Sequence, residues 1–242
     1  MTSAPPTPHL RPLLWLVAAA LFIQTLDSTI VNTALPAMAQ AMGESALAVH
    51  GIVVSYTLTM ALLIPASGWL ADRWGTRRVF TASLVLFAIG SLLCAVSSQL
   101  AALIAARVVQ GMGAAMLMPV GRLAVLRAVP RSEFLAAISF IAMPGLLGPL
   151  VGPSLGGWLV EYASWHWIFL INLPICAIGL YLARRYLPDF RAEVLAPFDA
   201  KGYALLAGAL LALSISLELL SARSFAWFWP ALGLLLCLVC SA

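Results

Sequence analysis

Charge is what this sequence has least of: 9% of its 242 residues are Asp, Glu, Lys or Arg, against roughly 25% in a soluble domain. With 63% hydrophobic residues and a mean hydropathy of +1.02, a soluble chain would have too little polar surface to face water. Lipid is therefore its solvent. The net charge of +4 does not mark a nucleic-acid binder, because the basic residues fall in short clusters between apolar runs and form no patch. Cysteine is sparse as well. Cys94, Cys176, Cys237 and Cys240 lie inside apolar stretches without metal-ligand company, which excludes a disulfide framework and a metal centre. The CxxC spacing of the last two sits in an uncharged leucine run and reads as small apolar filler. The apolar segments hold no nucleophile–base pairing, and His50 and His166 fall near helix ends, so an enzyme is the poorest fit.

What is present is a series of apolar windows, each near the length of about 20 residues that a helix needs to cross a bilayer. They run over about 13–35, 49–70, 79–97, 101–121, 134–160, 167–187, 203–220 and 226–242. Their length and continuity predict an all-α integral membrane protein, since a helix satisfies its own backbone polar groups in hydrocarbon. Arg11 and the LLWLVAAALFI that closely follows it resemble a signal-peptide core, but the apolar stretch continues past Gln24 and Asp27 to Pro36. It is read as an uncleaved first helix.

Eleven of the 13 basic residues fall on one side of these spans. They are Arg11, Arg73, Arg77, Arg78, Arg122, Arg127, Arg131, Arg184, Arg185, Arg191 and Lys201. The positive-inside rule places that side, and the N-terminus, in the cytoplasm. The tryptophans, among them Trp15, Trp69, Trp74, Trp158, Trp165 and Trp167, gather near predicted helix ends, where an amphipathic ring suits the membrane interface. The most polar stretch, 188–202 (PDFRAEVLAPFDAKG), reads as a cytoplasmic linker. It divides the chain into a six-helix unit over 1–187 and a further helix pair over 203–242. The last span ends at LVCSA without a basic anchor, as a chain cut short of a second domain would.

An ionisable side chain inside a membrane costs about 2.5–3.5 kcal/mol on insertion scales, and two stand out. Asp27 lies just past the midpoint of the outward-running first span, and Arg107 just before the midpoint of the inward-running fourth. At 1.5 Å per residue, both sit about 5 Å beyond the bilayer centre on the same side. One reading is a fixed ion pair between helices. The other is that Asp27 takes up and releases a proton under the control of Arg107. Gln24 and Ser28 beside the aspartate, and Gln110 and Gly111 beside the arginine, are expected to line a wet path.

The fifth span reads PGLLGPLVGPSLGGW. Gly145, Gly148, Gly152, Gly156 and Gly157 permit close helix packing, while Pro149 and Pro153 break hydrogen bonds and predict a bend. In the loop GWLADRWGTRR, from Gly68 to Arg78, Asp72 beside Arg73 and the turn-forming Gly75 predict a charge-paired latch between helix ends.

Together these segments resemble the major facilitator superfamily. GWLADRWGTRR is similar to its loop signature between helices two and three, and ARVVQGMGAAMLMPVGR to its helix-four signature. GPLVGPSLGG resembles the helix-five signature of exporting antiporters, and LDSTIVNTALP the helix-one signature of the fourteen-helix drug:proton antiporters. The resemblance covers 13–187. It implies a proton-driven exporter of small amphipathic organic compounds in the bacterial inner membrane, with no cofactor beyond the proton gradient. Residues matching Asp27 and Arg107 would take part in proton coupling. Those matching Gly68, Asp72, Arg73, Gly75, Arg77 and Arg78 would form the conformational latch, and the helix-five glycines and prolines would shape a bending helix. The substrate cavity of such proteins lies between two six-helix halves, so this chain would need the missing C-terminal half or a second copy. An uptake permease of the same superfamily and a non-transporting or dimerising half remain open.

Overall fold

The computed structural model describes residues 10–221. The expected eighth span at 226–242, with Cys237, Cys240 and the last two tryptophans, lies outside the described residues. Among the described residues, six apolar helices are of membrane-crossing length. They are α1 (Arg11–Met42), α2 (Ala46–Trp74), α3 (Thr76–Val96), α4 (Leu100–Ala128), α5 (Phe134–Tyr162) and the sixth span, Trp167–Tyr186. That last span is divided at Ile171 into a single turn, α6 (Trp167–Leu170), and α7 (Asn172–Tyr186). A further apolar helix, α8 (Ala200–Ser221), follows. The all-helical multi-pass fold read from the sequence is the fold observed.

The helices overrun the predicted windows at their polar ends, where local signals set the boundaries. α1 continues through Pro36 to Gly43, whose left-handed φ of 66° suits a residue with no Cβ. α2 starts where the Ser45 hydroxyl accepts the Ala48 N–H at 3.1 Å, a side-chain N-cap. α1 is the central helix, packed on α5 along its length and also touching α2, α4 and α7; α4 packs against both α2 and α3.

Side chains in the bundle fall into two apolar clusters. One gathers Leu13 to Ile23 of α1 with Tyr56, Phe80, Phe87 and Ala114 to Val125. The other gathers Ile30 to Met38 of α1 with Val49, Ile52, Leu103, Ala106, Ile168 and Phe169. Between the two clusters lies a polar level. Asp27 on α1, Ser91 on α3, Arg107 and Gln110 on α4 and Asn172 at the start of α7 occupy it, all buried. The bundle is an apolar stack split by one polar layer.

Candidate functional site: a buried polar layer

Close helix contact makes the layer possible. A Cβ on Gly90 of α3 would collide with the Gln110 backbone, and one on Gly113 of α4 with the Phe87 backbone. α3 and α4 therefore approach backbone to backbone, as small residues allow, and Gln110 and Ser91 are drawn into contact. On the far side of α1 the α5 glycines do the same. Cβ atoms on Gly145, Gly148, Gly152 and Gly156 would run into Leu21, Thr25, Thr29 and Ile30 respectively, whereas Gly157 has only Thr33 at 4.0 Å. Four of the five glycines thus form a contact stripe. α5 is continuous through Pro144, Pro149 and Pro153, and the latter two lie on its exposed face.

Asp27 is 0% and Arg107 1% exposed, and Arg107 Nη1 donates to Asp27 Oδ2 at 2.6 Å. Gln110 joins both partners. Its Oε1 accepts from Arg107 Nη1 at 2.7 Å, and its Nε2 donates to Asp27 Oδ1 at 2.8 Å and to Ser91 Oγ at 2.8 Å. Asn172 Nδ2 donates to Asp27 Oδ1 at 2.9 Å and to Ser91 Oγ at 3.2 Å. The guanidinium is held further by the Ile52 carbonyl, which accepts from Nε at 3.3 Å. It also sits over the Tyr56 ring, 3.9 Å from its centroid, a cation–π contact strengthened by desolvation. Three donors thus converge on one carboxylate, which matches its ionised, acceptor-only form.

The placement differs from the sequence reading in two respects. Gln110 and Gly111, expected on a wet path, are buried: Gln110 is inside the network, and Gly111 lies against Thr59 and the Tyr56 carbonyl of α2. Gln24 and Ser28 are half-buried on α1; Gln24 Nε2 reaches Met60 Sδ at 3.4 Å. Asn172, Ser91 and Tyr56 escaped the sequence reading altogether. Asn172 carried a usable signal, as an asparagine inside an apolar span is expensive unless it is hydrogen-bonded. A lone serine or tyrosine in such a span carries much less.

The loop between α2 and α3 also pairs differently from expectation. Asp72 bonds Arg127, in the last turn of α4, at 2.7 Å, while Arg73 lies over the Trp69 ring at 5.0 Å. Gly75 has φ 95°, and a Cβ there would collide with Asp189. Gly68 and Arg78 are exposed. The segment read as a linker folds back along this loop. Thr76 N–H donates to the Phe190 carbonyl at 3.0 Å, and Thr76 Oγ1 donates to the Pro188 carbonyl at 2.8 Å and accepts the Phe190 N–H at 2.9 Å. Arg77 N–H donates to Asp189 Oδ1 at 3.2 Å, Ala192 N–H to the Asp72 carbonyl at 3.2 Å, and Trp69 Nε1 to the Ala196 carbonyl at 3.1 Å. At the opposite end, the loop residue His166 stacks on Trp165 with ring centroids 3.6 Å apart. Burial lowers its pKa from the ordinary value of 6.5.

The Major Facilitator Superfamily profile matches residues 17–242. The chain belongs to this superfamily. It is 54% identical over 205 residues to the MdtD protein of Salmonella typhi, named for multidrug resistance, covering 85% of this chain and 43% of that one. The MdtD protein of Cronobacter sakazakii is 54% identical over 210 residues, with 87% and 44% covered. This superfamily chain therefore spans less than half the length of those relatives. Among solved structures, the human organic anion transporter MFSD10 superposes with TM-score 0.65 at 22% identity, covering 86% of this chain and 55% of its own. The POT family transporter PepTSo does so with TM-score 0.70 at 14% identity, covering 97% and 52%. At such identities the likeness is one of fold.

Proposed function

We propose that this chain is the N-terminal half of a proton-coupled exporter of small amphipathic organic compounds in the bacterial inner membrane, oriented with its N-terminus in the cytoplasm. The observation that carries the reading is the sealed Asp27–Arg107 pair between two apolar clusters. Apolar side chains would hold the helices together at least as well, because the desolvation of both ions offsets much of their attraction. A charge kept at such a position is explained by use, and intramembrane carboxylates serve in proton relays.

In this reading Asp27 takes a proton when the bundle opens it to water along the face bearing Gln24 and Ser28. Neutralisation releases Arg107 from its counterion, and the polar layer rearranges. The loop at Asp72 and Arg127, with Gly68, Arg73, Gly75, Arg77 and Arg78, acts as the latch between end states, and the glycine stripe of α5 lets α1 shift against it. The substrate class rests on the names of the 54% identical relatives. Met112, Met116 and Met118 add adaptable apolar surface along α4.

The test uses the native-length polypeptide in its own host. Immunoblotting of an N-terminal tag is expected to show a product near twice 25.7 kDa. In that protein Asp27→Asn is expected to abolish proton-driven efflux while membrane insertion persists. Undiminished coupled efflux in this variant would overturn the assignment.

A further inference from the structure

Asn172 holds the one amide in the layer whose two ends are treated unequally. Its Nδ2 has two acceptors, Asp27 Oδ1 and Ser91 Oγ. Its Oδ1 is buried and accepts no hydrogen bond among the described residues. Gln110, by contrast, is engaged at both ends.

We propose that Asn172 is a positioning residue whose side-chain amide turns over when Asp27 takes a proton, so that α7 reads the protonation state of α1. This rests on the reading of Asp27 as the proton site. An ionised Asp27 is surrounded by donors, and each is matched. A protonated Asp27 carries an O–H that needs an acceptor. Arg107 has none to offer, and Gln110 Oε1 is held by Arg107 Nη1 at 2.7 Å. Among the described residues three buried oxygens lack a partner, Gln24 Oε1, Tyr56 Oη and Asn172 Oδ1, and of these three residues Asn172 is the one already bonded to Asp27.

A half-turn about the terminal side-chain bond exchanges Nδ2 and Oδ1 in nearly the same volume. Oδ1 then faces both the carboxyl proton and the Ser91 hydroxyl. Either orientation leaves one end of the amide unpaired, so packing favours neither strongly and the proton on Asp27 decides. The move is local, but Asn172 is the first residue of α7, directly after the break at Ile171. A change in its hydrogen bonds is therefore made where the sixth span is discontinuous.

The other titratable groups facing Asp27 are few. α4 contributes Arg107, α2 Tyr56, α3 Cys94 and α7 Cys176, each within electrostatic reach. From α5, glycines meet this part of α1.

The sequence contains two asparagines, Asn32 and Asn172, and Asn32 is exposed. In this 242-residue chain, Asn32→Gln with asparagine labelled at its side-chain carbonyl therefore leaves Asn172 as the single labelled side-chain amide. The protein is placed in lipid nanodiscs and titrated from neutral to acid pH while infrared spectra are recorded. The Asp27 carboxyl stretch, identified by its loss in Asp27→Asn, is expected to grow, and the labelled amide band to shift with the same midpoint. In Asp27→Leu, which adds no second labelled amide and has no carboxyl to titrate, the labelled band is expected to stay fixed with pH. A carboxyl band that grows while the Asn172 band stays fixed overturns the amide turn and leaves the proton site standing. Absence of any Asp27 carboxyl band overturns the proton site, and the amide turn with it.

Discussion

Replacing Asp27 by leucine would strand the Arg107 guanidinium in a dry layer. Removing one partner of a buried ion pair costs about 3–5 kcal/mol, because the other is left desolvated and uncompensated. Arg107 would retain Gln110 Oε1, the Ile52 carbonyl and the face of Tyr56, so part of its shell survives. In a bilayer the separated helices also find partners in water or headgroups, which lowers the difference further. The low end of the range, about 3 kcal/mol, is therefore expected. It corresponds to more than a hundredfold in the unfolding equilibrium. Arg107→Met alone should cost a similar amount by stranding the carboxylate, which also loses the donor at 2.6 Å. The double variant, with neither charge, should recover most of the loss, since an apolar pair can replace a buried ionic one at little cost. The assay is reversible unfolding of this chain in bicelles for the four members of the cycle, which isolates the pairwise coupling. Additive single effects, or a single variant costing under about 1 kcal/mol, the worth of an exposed pair, would refute the description of a sealed and mutually dependent layer.

Gly148→Ala should destabilise the bundle by about 1–3 kcal/mol by overpacking, because its Cβ would meet Thr25 and the Leu26 backbone nitrogen, the latter at 2.7 Å. Gly157→Ala, with open space to 4.0 Å, should be nearly neutral in the same unfolding assay. Gly75→Ala should release residues 188–199 from the α2–α3 loop, through its φ of 95° and the collision with Asp189. Tryptic cleavage after Arg191 should then quicken while the spans stay protected, and an unchanged cleavage rate would count against the strap. His166 should titrate below 6.5 by NMR, because burial disfavours its charged form. The unfolded chain then binds more protons through that interval, so the His166 contribution to stability is complete above 6.5 and falls as pH drops toward the folded value. Titration at or above 6.5 would contradict the burial of its ring.

Six spans and their order were legible in the sequence because a helix that crosses a membrane needs only length and apolarity, both of them local properties. That Asp27 and Arg107 lie at matching levels of their helices was legible for the same reason, since the rise per residue is fixed, and the two side chains meet. What surrounds them was not. Asn172 lies 145 positions from Asp27 along the chain, and Ser91 joins them only because glycines let α3 meet α4 closely. Gln110 was read as lining water and proves to be sealed, a distinction set by which neighbours cover it and invisible to helical periodicity. Asp72 was given its chain neighbour Arg73, yet it pairs with Arg127, 55 positions away, because the ends of α2 and α4 converge in space. The stretch at 188–202 looked like a polar tether from composition alone, yet its last three residues open α8 and the backbone hydrogen bonds of the rest to Thr76 and Asp72 make it a strap. Sequence thus determined which segments are long and apolar enough to cross a membrane and at what level of each helix its charge lies, since hydrophobic transfer acts on each helix separately. Tertiary structure alone decided which polar groups meet, because hydrogen bonds act within about 3 Å and only helix packing brings distant residues that close.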